Sequence, residues 1–218
     1  MKYSDIYRLY STSQPKDAIH QALREVPVDD SDEQYEDRSP LHLACQYGDT
    51  EGVKILLERD AEPNTKDANG STPIHILGRT SAGCADEDKL KEIAVMLIEQ
   101  GANIPRSAKN TTALIECIRN RHFKMAEAII DSGARVNSTD LNGENVLFGF
   151  CAASGDIRRD IRFAKKELDE SVTPKTSIEE IRSRIARLED DGETAYRLAR
   201  RLVEEDKADP EDKSNSGK

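Results

Sequence analysis

Apolar positions along this chain recur in pairs of short helical patterns separated by turn residues. In the clearest pair, the first pattern follows Ser39 and stops near Gly48. The second spans residues 50–59, where apolar residues lie three and four positions apart, as on one face of an α-helix. A tight Asn69-Gly70 turn then starts the next pair. The pattern therefore predicts consecutive helix-turn-helix units.

Two similar segments mark the starts of these units. One reads Asp-Arg-Ser-Pro-Leu-His-Leu-Ala at residues 37–44, and the other reads Asn-Gly-Ser-Thr-Pro-Ile-His-Ile-Leu at residues 69–77. Their prolines, Pro40 and Pro73, are 33 residues apart. Proline fits the first position of a helix because its missing N–H needs no partner there, and the preceding serine or threonine is a suitable N-cap.

The 33-residue period and the Thr-Pro-Leu-His pattern resemble those of ankyrin repeat proteins. The resemblance implies an all-α repeat solenoid of helix-turn-helix repeats with short β-hairpin connections. In that family the histidine of the motif hydrogen-bonds neighbouring backbone and helps to join repeats, so we expect this role for His42 and His75. A catalytic or metal-binding role is the alternative, but neither histidine has a partner ligand at a suitable local spacing.

The repeat pattern divides the whole chain. We assign an N-terminal capping repeat to 1–29, a repeat to 30–64, a repeat with a loop insertion near 79–88 to 65–104, a repeat to 105–137, a repeat split by a helical insertion at 156–191 to 138–211, and the start of a further repeat to 212–218. The last assignment predicts that the chain belongs to a longer repeat protein. A polar tail is the alternative.

The individual repeats depart from the family pattern in three places. Asp60 stands where a glycine usually ends the second helix, and an aspartate tolerates a left-handed backbone less well than glycine does. Extra residues, rich in serine, glycine and aspartate, lengthen the repeat near 79–88. At 112–115 the sequence Thr-Ala-Leu-Ile lacks both the proline and the histidine of the motif.

The insertion at 156–191 carries two charged helical patterns joined at Pro174, which predicts an inserted helical hairpin in the last repeat. Ser177 and Glu180 form a capping box that opens the second pattern. The outer helix of the split repeat then resumes near Ala195. The apolar stripes of the insertion either pack on each other or on that outer helix, or they offer a separate dimer or partner surface. They comprise Ile157, Ile161, Ala164, Leu168, Ile178, Ile181, Ile185 and Leu188.

Composition and charge limit the partners and the cellular location that the sequence predicts. The net charge of −10 implies no general affinity for nucleic acid or anionic membranes. The sequence contains no run of about 18 apolar residues, so it predicts no membrane span. The first residues lack the apolar core of a signal peptide, so we expect a cytoplasmic protein or one delivered into a host cytosol. Cys45, Cys117 and Cys151 fall on inner-helix positions and are expected to be buried free thiols.

The chain contains no recognisable catalytic or ligand-binding motif. No Cys-x-x-Cys, His-Glu-x-x-His or Gly-x-Ser-x-Gly occurs, and the acidic run at residues 29–37 lacks the glycine and final glutamate of a calcium loop. Gly217-Lys218 does not complete a phosphate loop, because Asp212 stands where the first glycine is needed. We therefore expect no enzyme activity, no cofactor and no metal.

The resemblance also implies where a partner would bind. Arrays of this family bind with the hairpin tips and the exposed side of the first helix of each repeat, which together form a concave surface. Transferred to this sequence, the partner-binding positions are Tyr35, Arg38, Gln46, Tyr47, Asn69, Ser71, Arg79, Thr80, Lys109, Thr111, Arg119, Asn120, Leu141, Asn142 and Glu144.

Tyrosine and arginine at these positions suggest a basic and aromatic stripe on an otherwise acidic protein. Tyr47, Arg79 and Arg119 occupy equivalent or neighbouring places, and both residue types are enriched at binding hot spots. Such a stripe would suit an acidic peptide or an acidic protein surface. Exposed arginines that only keep the array soluble are the alternative.

Two functional classes follow. The first is a non-catalytic protein–protein interaction module or scaffold, acting as a monomer. The second is a regulatory or targeting N-terminal arm of a larger multidomain enzyme, channel or secreted effector.

Overall fold

The computed structural model describes residues 2–80, 86–104, 112–134, 146, 149–150, 153, 156–159 and 175–204. The chain divides into two compact units, Met1–Arg135 and Val136–Lys218. The predictions that concern other residues lie outside this description.

In the described part of the first unit, eight α-helices follow one another along the chain. They are α1 (Tyr3–Ser11), α2 (Lys16–Glu25), α3 (Pro40–Gln46), α4 (Thr50–Leu57), α5 (Pro73–Gly78), α6 (Glu87–Glu99), α7 (Ala113–Arg119) and α8 (Phe123–Asp131). A short 3-10 helix at Glu33–Tyr35 precedes α3.

The eight helices form four pairs that stack in sequence order. Within each pair the two helices pack together, and each helix also packs on its equivalent in the next pair: α1 on α3 on α5 on α7, and α2 on α4 on α6 on α8. Leu41, Leu56, Ile74, Leu77 and Ile93 are fully buried between these layers. The arrangement confirms the all-α repeat solenoid, although the described tips are turns rather than strands.

In the three helix pairs that follow the first, the second helix is followed by a residue with a left-handed backbone. Asp60 has a φ of 61°, while Gly101 and Gly133, at the same step of the two following repeats, have φ values of 84° and 86°. The backbone of Asp60 therefore takes the conformation that glycine adopts without steric cost.

Cys45 and Cys117 are buried free thiols, as predicted for both. Each lies in the first helix of its repeat, and burial raises the pKa of both thiols. Their reactive thiolate forms are therefore disfavoured. Cys84 and Cys151 lie outside the described residues.

Two residues that flank segment 81–85 contact the helix pair that follows. Helix α6 begins at Glu87. The imidazole of His122 lies 2.6 Å from the Thr80 carbonyl oxygen through Nε2 and 2.6 Å from a Glu87 carboxylate oxygen through Nδ1. One side chain of the next repeat therefore holds both sides of segment 81–85.

The described residues of the second unit include the long helix α9 (Lys175–Glu204). The sequence predicts a helix opening at Ser177 and a separate outer helix near Ala195, but α9 runs through both without a break. Gly192 does not interrupt α9, and a Cβ placed there would lie 3.1 Å from Cγ2 of Ile157. This glycine therefore permits close packing. Neither α9 nor any other described helix is long and apolar enough to cross a membrane.

We expect Asp60→Gly to raise the free energy of unfolding by about 0.5–1 kcal/mol, because glycine relieves the left-handed strain. Chemical denaturation of the two proteins checks this. Glu58→Gly, two residues earlier where the backbone is right-handed, is the matched control and should destabilise the chain. An unchanged or lower stability of Asp60→Gly would contradict the assignment of strain.

Candidate functional site

The motif histidine His42 joins two neighbouring repeats. Its Nδ1 accepts from the Ser39 backbone N–H at 3.1 Å and from the Ser39 hydroxyl at 2.9 Å, while Nε2 donates to the Ser71 carbonyl oxygen at 3.0 Å. This arrangement requires the neutral tautomer with the proton on Nε2. Burial lowers the pKa of His42, in agreement with that state. The expected structural role of His42 is therefore confirmed.

The second motif histidine makes the same local contacts. Nδ1 of His75 lies 2.9 Å from the Thr72 hydroxyl and 3.4 Å from the Thr72 backbone nitrogen. In the next repeat Ile115 replaces the histidine, and the Thr112 hydroxyl oxygen accepts from the Ile115 N–H at 3.3 Å. The hydroxyl therefore caps this helix without an imidazole partner.

Three partly exposed tyrosines, Tyr7, Tyr35 and Tyr47, form what we call the tyrosine patch. The rings of Tyr7 and Tyr35 have centroids 4.3 Å apart. Tyr47 is 41% exposed, and burial, together with the nearby Tyr7, raises the pKa of its hydroxyl. Tyr7 belongs to α1, Tyr35 to the 3-10 helix at the repeat tip, and Tyr47 follows the last residue of α3.

A buried polar cluster around Asp49 packs against the tyrosine patch through Tyr10. The Tyr10 ring stacks on Tyr47 with centroids 4.8 Å apart, and its hydroxyl donates to Asp49 Oδ2 at 2.8 Å. His20 Nε2 lies 3.0 Å from both carboxylate oxygens of Asp49. Burial and the Asp49 carboxylate raise the pKa of Tyr10, so its hydroxyl remains a donor. The cluster fixes both helices of the capping repeat to the first full repeat.

Arg38 does not supply the net positive charge that the sequence suggested. Its guanidinium donates to the Glu36 carboxylate and to Gln46 Oε1, and Nε lies 3.7 Å from Asp67 Oδ2. Asp67 is buried, and its other oxygen accepts the backbone N–H groups of Asn69 and Ser71. Two carboxylates of the chain itself therefore face this arginine.

Arg79 is engaged in a similar way one repeat later. Nε donates to a Glu116 carboxylate oxygen at 3.0 Å, and Nη1 donates to the Ser71 hydroxyl at 2.9 Å. Glu116 belongs to the next repeat, so this contact also joins neighbouring repeats. The basic stripe was predicted at Tyr47, Arg79 and Arg119, with Arg38 nearby. Of these arginines, Arg38 and Arg79 face internal carboxylates.

The remaining predicted positions differ in their exposure to solvent. Ser71 and Thr80 are 0% and 7% exposed, so the expectation that both are exposed is wrong. The Ser71 hydroxyl accepts from Arg79 Nη1, and the Thr80 carbonyl oxygen contacts His122 Nε2. Arg119 is exposed, and Gln46, Asn69 and Asn120 are half-buried. Lys109, Thr111, Leu141, Asn142 and Glu144 lie outside the described residues.

Sequence reasoning missed the contribution of the capping helix. Tyr3, Tyr7 and Tyr10 are spaced four and three residues apart, which places them on one face of α1. That aromatic stripe was the available signal. Five of the six tyrosines in the chain meet here, since Tyr3 also packs near Tyr35, at 5.7 Å between centroids.

No three His, Cys, Asp or Glu side chains gather into a metal site within the described ranges. The exposed residues of the site are aromatic, amide and guanidinium groups, which suit contact with another macromolecule. The geometry shows contact groups on successive repeats.

Comparison with known proteins agrees with this geometry. Residues 22–77 match the family model of ankyrin repeats. The chain is similar to a homologue of transient receptor potential cation channel subfamily A member 1 from Caenorhabditis elegans, at 38% identity over 69 residues, or 32% of this chain and 6% of that protein. It is also similar to mouse neurogenic locus notch homolog protein 1, at 34% over 108 residues, or 49% and 4%. Mouse Rabankyrin-5 is 31% identical over 115 residues, or 50% and 9%.

The chain therefore carries ankyrin repeats. This class of repeat is generally non-catalytic and mediates contacts between proteins. The chain spans less than a tenth of the length of each of these three relatives.

Gly52→Ala should destabilise the protein, although the same change usually favours a helix by about 1 kcal/mol. A Cβ at Gly52 would lie 2.6 Å from Asp49 Oδ2 and 2.9 Å from the Tyr10 hydroxyl, so it must break their charge-assisted hydrogen bond. We expect a net loss of about 1 kcal/mol in urea denaturation. In an Asp49→Ala background the substitution should instead be neutral or stabilising; destabilisation in both backgrounds would contradict the explanation.

Acid should weaken the array partly through His42. The pKa of His42 lies below 6.5 in the folded state, so its contribution to stability is complete above pH 6.5 and declines as the pH falls below that value. In His42→Gln, the free energy of unfolding should therefore fall less steeply between pH 6.5 and 5, by up to about 1.4 kcal/mol per pH unit. Equal slopes in both proteins would show that His42 does not couple folding to protonation.

Proposed function

We propose that this chain is a protein–protein interaction module that binds its partner on the concave face formed by the repeat tips and the ends of the first helices. The tyrosine patch is the observation that carries the proposal. It places an exposed Tyr47 and a half-buried Tyr7 and Tyr35 on a rigid support, the Tyr10 and Asp49 cluster. Rigid aromatic side chains provide much contact area at a low cost in conformational entropy.

The face extends along the following repeats. Gln46 and Arg119 stand at equivalent helix ends, and the half-buried Asn120 donates from Nδ2 to the Gly78 carbonyl oxygen at 3.0 Å. Such contacts between repeats fix the positions of these helix ends relative to each other. A partner that spans several repeats would therefore meet a preorganised surface.

A second candidate is a regulatory or targeting arm of a larger protein. The lengths of the relatives favour it, since the matching segment is a small part of a channel homologue and of a notch homologue. In either case the residues of this chain act by binding. We further propose a cytoplasmic or host-cytosolic setting, a protein partner rather than nucleic acid or membrane, and a monomer, in keeping with the net charge of −10.

We retain as a proposal the predicted helical insertion of the last repeat. The closeness of Gly192 to Ile157 supports it, because it brings the first helical pattern against α9. Whether this element binds or only packs is part of the functional test.

The test compares capture of proteins from lysate by matched variants of the full chain. Tyr47→Ser with Arg119→Ser alters the proposed face, while Lys54→Ser with Glu92→Ser alters exposed residues of the outer helices α4 and α6. We expect the first pair to lose captured proteins that the second pair retains, at equal thermal stability. Arg79 is left intact, because its ion pair with Glu116 joins neighbouring repeats and its loss would destabilise the array.

Capture that is equal in both pairs would contradict the concave face as the binding surface. In that case, loss of capture in Tyr196→Ser, which changes the exposed tyrosine of α9, would move the binding site to the second unit.

A further inference from the structure

The charges of the first unit are unevenly divided. Residues 1–67 contain 15 acidic and 8 basic side chains, whereas residues 68–135 contain 8 acidic and 9 basic side chains. The excess of negative charge therefore lies in the capping repeat and the first full repeat. The tyrosine patch belongs to this acidic half.

The acidic residues come closest to the patch at its tip. Residues 29–37 contain six carboxylates and no lysine or arginine, and Tyr35 lies among them. The chain is held at this place by the Tyr3 backbone N–H, which donates to Asp30 Oδ2 at 2.9 Å, and by Asp32, which caps the 3-10 helix. The fold therefore fixes Asp30 and Asp32 in the acidic segment that contains Tyr35.

Arg38, in the same repeat tip as Tyr35, is already engaged by carboxylates. Arg38 faces Glu36 and Asp67, and its side chain is only 22% exposed, whereas that of Glu36 is 53% exposed. The guanidinium therefore cannot cancel the field of the six carboxylates.

We propose that the tyrosine patch binds a lysine- or arginine-bearing extended segment of a partner protein. Tyrosine faces attract ammonium and guanidinium groups through the ring quadrupole, and nearby carboxylates add Coulomb attraction. Stacking on Tyr10 uses one face of Tyr47 and still leaves 41% of that residue exposed. The inference rests on the proposed interaction function and specifies its partner, with the charge opposite to the one that the sequence suggested.

The test uses two synthetic peptides and the intrinsic fluorescence of the protein. The chain has no tryptophan and six tyrosines, so in a Tyr196→Phe background the tyrosine emission comes only from the five residues of the patch and its support. The probes are acetyl-Gly-Lys-Gly-Arg-Gly-Lys-Gly-amide and the same peptide with glutamate at the three charged positions. Calorimetric titration measures both affinities.

We expect saturable binding of the cationic peptide and none of the acidic one. Tyr47→Leu should weaken binding about 2- to 5-fold, whereas Tyr47→Phe, which keeps the ring, should bind as the parent does. Glu36→Gln should also weaken binding, and Glu92→Gln, an equal change of charge on α6, should not. Added salt should weaken the binding, as expected for solvent-exposed charges.

Equal effects of Tyr47→Leu and Glu92→Gln would overturn the proposal, as would equal binding of the two peptides. Binding of the acidic peptide alone would overturn it and leave the interaction function intact. If neither peptide binds, the cationic partner is excluded, and the capture experiment with the variants of the concave face still decides the interaction function separately.

Discussion

The first unit depends on the stacking of neighbouring helix pairs, because a single pair cannot enclose its own apolar residues. Leu41, Ile74 and Leu114 are buried only because each first helix packs against the next. The polar contacts follow the same rule, since His42 reaches the backbone of the following repeat and Arg79 reaches Glu116 of the one after it. The stability of one repeat is therefore shared with its neighbours.

The same dependence shapes the candidate interaction surface. The exposed rings of Tyr35 and Tyr47 gain their fixed positions from a different repeat, through Tyr7 and Tyr10 of the capping helix. A capping repeat is usually required for solubility, since it covers an apolar face that would otherwise meet water. Here it also supplies one ring of the surface and the support beneath another.

In the first unit, local periodicity was sufficient to predict the helices and their order. The histidine contacts between repeats were expected from the family resemblance, because the same residue types recur at the same motif positions. The sequence could not predict that Arg38 and Arg79 face internal carboxylates, because Asp67 and Glu116 lie 29 and 37 residues away. It also could not predict that α9 runs without a break from Lys175 to Glu204, since local patterns cannot distinguish two successive helices from one continuous helix.

The contacts of His122 have a consequence for how this array tolerates changes in length. Thr80 and Glu87 are held by one imidazole, so both ends of the intervening segment are anchored to the following repeat. Residues gained or lost between two anchored ends leave the register of the helices unchanged, and doubling the length of such a loop costs only about 0.6 kcal/mol in closure entropy. The second full repeat is therefore a place where the chain can acquire new sequence, and with it new surface, without rebuilding its core.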